Sequence, residues 1–196
     1  MKRLVTALLC VLALAGGAGC ATGKDAVAVG GQFEFVAPNG KQVILYDPPE
    51  SRGTIGAFTG ESLTEPGSQV GVQDFPDKVV VINVWGYWCG PCRVEVDDLQ
   101  LLQNQLGPSG VQVLGLDIRD DRAAAADFVR DRKVTYPSIF DKPGRTLLGL
   151  AGYPRNVVPS TIVLDRKHRV AAVYLTRIGL GSMMPELRRI AAEPGR

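Results

Sequence analysis

The sequence predicts an α/β domain in which helices flank a mixed β-sheet, and three observations carry this. Residues 79–84 (VVVINV) form a β-branched run of the kind that builds a buried strand, and a helix-period pattern follows it as far as Leu106. Residues 111–118 (VQVLGLDI) repeat the arrangement ahead of a second helical pattern. Residues 161–165 and 170–175 flank the charged turn Arg166-Lys167-His168-Arg169, which is the pattern of an antiparallel hairpin. Strands linked by helices, followed by a hairpin, make a mixed sheet. With 196 residues, 45% hydrophobic and 21% charged, the chain can bury one real core.

The formal charge is +2, and Lys2 and Arg3 supply both charges; the remaining basic and acidic residues balance at 20 each. Nothing in that balance favours a nucleic acid or an acidic substrate. Met1-Lys2-Arg3 is a basic leader, residues 4–15 are apolar, and small residues run from Gly16 to Gly19 before Cys20. This apolar stretch of twelve, interrupted by Thr6, matches a signal-peptide core and falls short of the ~20 that span a bilayer. The pattern resembles a bacterial lipoprotein signal, in which the cysteine, here Cys20, becomes the lipidated first residue; Gly17 departs from it, because a branched aliphatic is usual there. Ordinary cleavage after Ala13-Leu14-Ala15 is the alternative. Either reading places the mature protein outside the cytoplasm, where disulfides persist. Residues 20–31 read as a flexible tether and 32–196 as the domain.

Along that domain, residues 33–36 and 42–46 are expected to be short strands around the turn signal Pro38-Asn39-Gly40, an N-terminal hairpin. Residues 47–53 form a Pro-rich loop and 60–71 an irregular stretch. After the central strand comes a helix ending at Gly107-Pro108. Residues 120–133 are helical, 136–140 a short strand and 146–151 a short helix. The closing helix spans 184–192, with Pro185 in its first turn.

Between the central strand and its helix stand Trp88-Cys89-Gly90-Pro91-Cys92. Pro91 suits a first helical turn, where the N–H it lacks would have no partner. Cys89 then lies where free N–H groups and the helix dipole stabilise a thiolate, and Cys92 lies one turn in, shielded from solvent. One sulfur attacks and the other resolves. A zinc site needs a second ligand pair, which Cys10, Cys20 and His168 do not make. At 100° per residue, Cys92, Val96, Leu99, Leu102 and Leu106 share a helix face, and Glu95 falls on it too. A carboxyl on a buried stripe should have a raised pKa and can trade protons with a thiol one turn away; the alternative is a glutamate at the edge of the stripe that reaches water. Trp88 and Tyr87 flank Cys89 as an apolar docking surface, Trp85 belongs to the core, and His168 in its charged turn is expected to be solvated. Arg93 is either a stabiliser of the Cys89 thiolate or a surface residue.

The five-residue motif after an apolar strand resembles the active site of the thioredoxin family. The extra N-terminal strands, and room for a helix–strand insert between Cys92 and Pro159, resemble its extracytoplasmic TlpA, ResA and CcmG (DsbE) branch. The resemblance implies a thioredoxin-like fold and a cis-proline at Pro159 packed against the cysteines, with the backbone of Val158 pairing with an incoming peptide. A trans proline at a strand start is the alternative. ResA-like proteins carry an acid at the spacing of Glu95. Thioredoxins proper carry a buried aspartate where this chain has Asn83, which cannot exchange a proton, so the departure leaves more to Glu95.

The implied activity is extracytoplasmic thiol–disulfide exchange that needs no cofactor. Relatives in this branch mostly reduce disulfides, often in apocytochrome c, with electrons from a membrane thiol carrier. Oxidation of secreted proteins is the alternative direction. A copper chaperone of the SCO type is a minor one, since that family spaces its cysteines Cys-x-x-x-Cys and adds a histidine that His168 is badly placed to be. The Pro-x-x-x-Thr-x-x-Cys motif of a peroxiredoxin is absent.

Overall fold

The computed structural model describes residues 28–29, 31–37 and 40–195. The predicted signal, Cys20, most of the tether, and Pro38 and Asn39 of the expected turn lie outside the described residues. In chain order these residues form β1 (Ala28–Val29), β2 (Gln32–Phe33), β3 (Val43–Leu45), β4 (Thr59–Glu61), β5 (Gln69–Gly71), β6 (Val79–Trp85), α1 (Gly90–Leu106), β7 (Val111–Ile118), α2 (Arg122–Asp131), β8 (Ser138–Asp141), β9 (Ser160–Leu164), β10 (Val170–Tyr174) and α3 (Leu180–Ala191).

The main sheet has six strands in the order β3-β10-β9-β6-β7-β8. Strands β6, β7 and β8 are parallel, joined through α1 and α2, and β9, β10 and β3 continue the sheet antiparallel. This is the mixed sheet expected from the sequence. Every residue of β6 is buried, because the strand is paired along both edges and covered on both faces. Val80, Ile82 and Val84 point into a core that includes Phe33, Tyr46, Phe58, Leu147 and Tyr153. Val79 and Val81 meet Leu99, Leu102 and Leu106 of α1 and Met183, Leu187 and Ile190 of α3. Farther along that face, Trp85 packs with Cys89, Cys92 and, from α2, Ala125 and Val129. A strand buried on both faces reads as a continuous apolar run, which is why residues 79–84 stand out in the sequence.

Several local expectations need correction. Residues 33–36 and 42–46 do not pair with each other. Phe33 pairs with Ala28, while β3 lies against the outer edge of β10, with Ile44 beside Val173. That pairing covers an edge that would otherwise be open, and it carries Ile44 and Tyr46 into the core. The stretch expected to be irregular contains the hairpin β4–β5, with Thr59 opposite Gly71. Residues 146–149 form a 3₁₀ turn (Thr146–Gly149). Helix α3 begins at Leu180, so Pro185 sits inside it. Proline there removes one helical bond, yet the helix holds because Met183, Leu187 and Ile190 anchor its apolar face. His168 is half-buried at φ 55°, its Nε2 3.1 Å from the Phe75 carbonyl oxygen.

The far end of the sheet from Cys89 is closed by an ion cluster that sequence patterning did not reveal. The Arg52 side chain is fully buried; its Nε donates to the Tyr46 carbonyl at 2.9 Å, and its guanidinium reaches Asp47 at 2.8 Å, Asp165 at 3.2 Å and Glu193. Asp165 is buried too, which favours its neutral form, but the backbone and side chain of Arg169 together with Arg52 hold its carboxyl below the ordinary range. The cluster ties the Pro-rich loop, the β9–β10 turn and the residues after α3 together. Without Arg52 the buried Asp165 keeps Arg169 and the partly exposed Asp47 and Glu193 keep Arg189, but the Tyr46 carbonyl loses its donor and Asp165 one of its two arginines. Arg52→Met should therefore cost about 1–3 kcal/mol of stability, measured by urea denaturation. A cost near zero would show that the cluster merely decorates the end of the sheet.

Candidate redox site

The central strand delivers its chain to the N-terminus of α1, and the two cysteines are bonded there. Cys89 and Cys92 form a disulfide with Cα atoms 5.2 Å apart. Cys89 is the N-cap of α1, and its sulfur accepts the Cys92 N–H at 3.2 Å. Pro91 occupies the first turn, where its missing N–H costs nothing. On reduction, the same N–H and the helix dipole face a Cys89 thiolate. Cys92 is 1% exposed and sits under the first turn.

The turn that leads into the helix is held by close packing. Cys89 N–H donates to the Gly86 carbonyl at 3.0 Å. The Trp88 indole folds back over Gly86, where a Cβ would collide with Nε1, and that Nε1 donates to the Ile118 carbonyl at 3.0 Å. Its ring nevertheless remains 49% exposed, and Tyr87 beside it is 39% exposed. Arg119 lies over the Trp88 ring and Arg93 over the Tyr87 ring, with guanidinium carbons 5.1 and 5.5 Å from the centroids. Arg93 therefore packs on an aromatic at the rim. Phe128 of α2 supports Tyr87 from behind, ring centroids 5.6 Å apart.

The Val158–Pro159 peptide bond is cis. Pro159 is buried at the mouth of β9, whose first residue, Ser160, pairs with Val84 of β6, so the proline stands level with the end of the central strand. Val158 is half-buried and packs against the cluster containing both cysteines.

Glu95 is 1% exposed and does not reach water. Its Oε1 accepts the Ile178 N–H at 3.2 Å, and its Oε2 accepts the Asn83 side-chain amide at 3.3 Å. Burial pushes its carboxyl above the ordinary 4.5; those two hydrogen bonds and the charge of Arg177 oppose the shift, and Asp98 adds to it. Burial prevails. Asn83 also donates to the Thr161 hydroxyl at 3.3 Å, so it fixes Glu95 relative to β9. The Asn83 departure is visible in the sequence. The Ile178 N–H is not, because its place follows from the packing of the segment after β10.

The family model described as Redoxin matches residues 50–179. The thiol:disulfide interchange protein DsbE of Pseudomonas aeruginosa is 30% identical over 143 residues, 70% of this chain and 76% of that protein. The thiol-disulfide oxidoreductase ResA of Bacillus anthracis is 28% identical over 104 residues, 53% of this chain and 58% of that protein. Among solved structures, a secreted thiol-disulfide isomerase from Corynebacterium glutamicum shares 42% identity at a TM-score of 0.80, covering 83% of this chain and 99% of that one. A DsbF homologue from Corynebacterium diphtheriae shares 43% at 0.76, covering 81% and 99%.

A raised pKa on Glu95 has a defined consequence for stability. The folded state holds the proton more tightly than the unfolded chain, so its contribution is complete below the ordinary value of 4.5 and declines as pH rises through the folded value. Glu95→Gln removes that decline. In paired urea denaturations the variant should gain on the parent between pH 4 and neutrality, by about 1.4 kcal/mol for each pH unit that separates the folded pKa from the ordinary one. A difference that stays constant with pH would mean that Glu95 ionises freely.

Proposed function

The chain belongs to the Redoxin family and is a thiol–disulfide oxidoreductase of the DsbE/ResA type, and from that premise we propose that it is an extracytoplasmic reductant of protein disulfides. The observation that carries the reading is the asymmetry of the pair. Cys89 caps a helix with an N–H on its sulfur, while Cys92 is enclosed one turn from a buried carboxyl. The Cys89 thiolate attacks one sulfur of a substrate disulfide, forms a mixed disulfide and expels the other sulfur as a thiolate. Glu95 takes the Cys92 proton. Cys92 then attacks the Cys89 sulfur, the second substrate sulfur leaves as a thiolate, and the Cys89–Cys92 disulfide results. A membrane thiol carrier returns two electrons and two protons.

Trp88 gives the substrate an apolar platform, and the backbone of Val158 beside cis-Pro159 pairs with the peptide around its disulfide. The Gly90-Pro91 dipeptide and Glu95 support the reducing direction, and the resemblance to the ResA and CcmG branch supports apocytochrome c as a substrate. Residues 1–19 serve as the export signal, Cys20 carries the lipid, residues 20–31 are the tether, and 32–196 are the working domain. No helix among the described residues is long and apolar enough to cross a membrane. A second reading is oxidation of secreted proteins by the same steps in reverse. It draws on the Corynebacterium glutamicum relative, which is described as a secreted isomerase.

Equilibration with glutathione separates the two directions. A potential of about −270 mV, like that of thioredoxin, supports the reductant, and one of about −120 mV, like that of DsbA, supports the oxidant. Cys92→Ser should accumulate mixed disulfides with substrate proteins, whereas Cys89→Ser should not; equal trapping would remove the assignment of roles. Mass spectrometry of the protein from membranes should find an acylated peptide beginning at Cys20, and a soluble form beginning at Gly16 would remove the anchor.

A further inference from the structure

A second buried acid lies beneath the redox turn, and the exchange steps make no use of it. Asp117 is 0% exposed near the end of β7, directly beside Trp85 in β6. Among the described residues neither of its oxygens meets a hydrogen-bond donor when it is ionised, and the Trp85 indole N–H also lacks a partner. Asp120, 7% exposed, lies three residues on. One of its oxygens accepts the Tyr87 N–H and the other the Asp121 N–H at 2.8 Å. Tyr87 is two residues from Cys89, so the second carboxyl grips the turn that presents the reactive sulfur.

Two carboxylates cannot bond to each other without a proton. With its proton, Asp117 becomes a donor to Asp120, its side-chain hydrogen-bond partner. The charged surroundings are few. From β6 Asp117 faces Trp85 and from β8 it faces Phe140, neither charged. From α2 the Arg122 cation acts on it, and that guanidinium is drawn away to Glu61 at 2.8 Å while it stacks over Phe140 at 4.3 Å. Burial foremost, then the charge and hydrogen bond of Asp120, push the Asp117 carboxyl up to about 9, against the opposing pull of Arg122.

We propose that Asp117 keeps its proton and donates it in a hydrogen bond to Asp120, and that the two act as a positioning pair, holding the turn from Gly86 to Cys89 through the Tyr87 N–H and coupling the charge of Asp117 to the redox state of Cys89. The proposal rests on Cys89 being the attacking sulfur. When Cys89 is a thiolate, a second negative charge on the pair is opposed, so the proton is held to higher pH in the reduced protein than in the oxidised one.

The test is an NMR titration of the purified protein from pH 5 to 10, read at the ¹³C-labelled aspartate carboxyls and the Tyr87 amide proton. In the oxidised protein Asp117 should titrate near pH 9, with the Tyr87 amide following the same midpoint, and the midpoint should move upward on reduction. Asp117→Asn should abolish that titration at Tyr87. A purely structural role would leave the Tyr87 titration in place in the variant. An Asp117 midpoint in the ordinary range near 4, a Tyr87 amide that does not follow, or one midpoint in both redox forms would overturn the proposal. The oxidised titration does not depend on which cysteine attacks, so failure of the mixed-disulfide trapping leaves this measurement interpretable by itself.

Discussion

Everything at the redox end of this molecule depends on the burial of β6. A strand bonded on both edges and packed on both faces admits no water along its length, and its last residues lead straight into the helix that carries the cysteines. Whatever stands beside that exit shares the dry environment. Charge is expensive there, so acids keep their protons and a thiolate forms only where N–H groups and a helix dipole receive it. The division of labour proposed for Cys89 and Cys92 rests on this. Cys89 sits at the helix cap, with an N–H already directed at its sulfur. Cys92, one turn deeper, can lose its proton only to a neighbour that is itself shielded. Glu95 is such a neighbour, held by Asn83 from β6 and by Ile178 from the segment leading to α3.

The two ends of the sheet solve opposite electrostatic problems. At the far end buried Arg52 meets Asp47, Asp165 and Glu193, and there Arg52 and Arg169 hold the buried Asp165 carboxyl below the ordinary range. At the redox end burial outweighs the pull of Arg177 on Glu95 and of Arg122 on Asp117 and raises both pKa values. The first arrangement fixes the fold and gives nothing for chemistry to move. The second leaves protons that can be exchanged. Because the two sets lie at opposite ends of the same strands, the clamp can be strong without placing its cations beside the acids at the redox end.

Which parts of this are legible in the sequence follows from the range of the interactions. The β6, β7 and β9–β10 strands are apolar runs, and α1 has a clear period, so each announces itself locally. The cysteine motif is five residues long, and Glu95 is placed on the buried stripe by helical geometry alone. What escapes depends on residues far apart. The partner of β3 is β10, some 130 residues away. Arg52 meets Asp165 and Glu193 across the whole domain. The bond from Ile178 to Glu95 has no local signature. The start of α3 is easily misplaced because Pro185 reads as a first-turn residue, while the buried Met183 requires helix before it. Asp117 looks like one polar residue ending a strand, and only the packing of Trp85 and Phe140 on either side identifies it as a buried acid.

In the proposed mechanism a buried proton acceptor on α1 governs the resolving step. The most direct measurement is the decay of a preformed mixed disulfide between Cys89 and a substrate peptide, followed in a single turnover from pH 4 to 9. In the parent protein the rate should rise through the raised pKa of Glu95 and then level off. In Glu95→Gln that limb should vanish, leaving a slower rate that climbs only as Cys92 itself ionises at higher pH. Superimposable profiles for the two proteins would contradict the account.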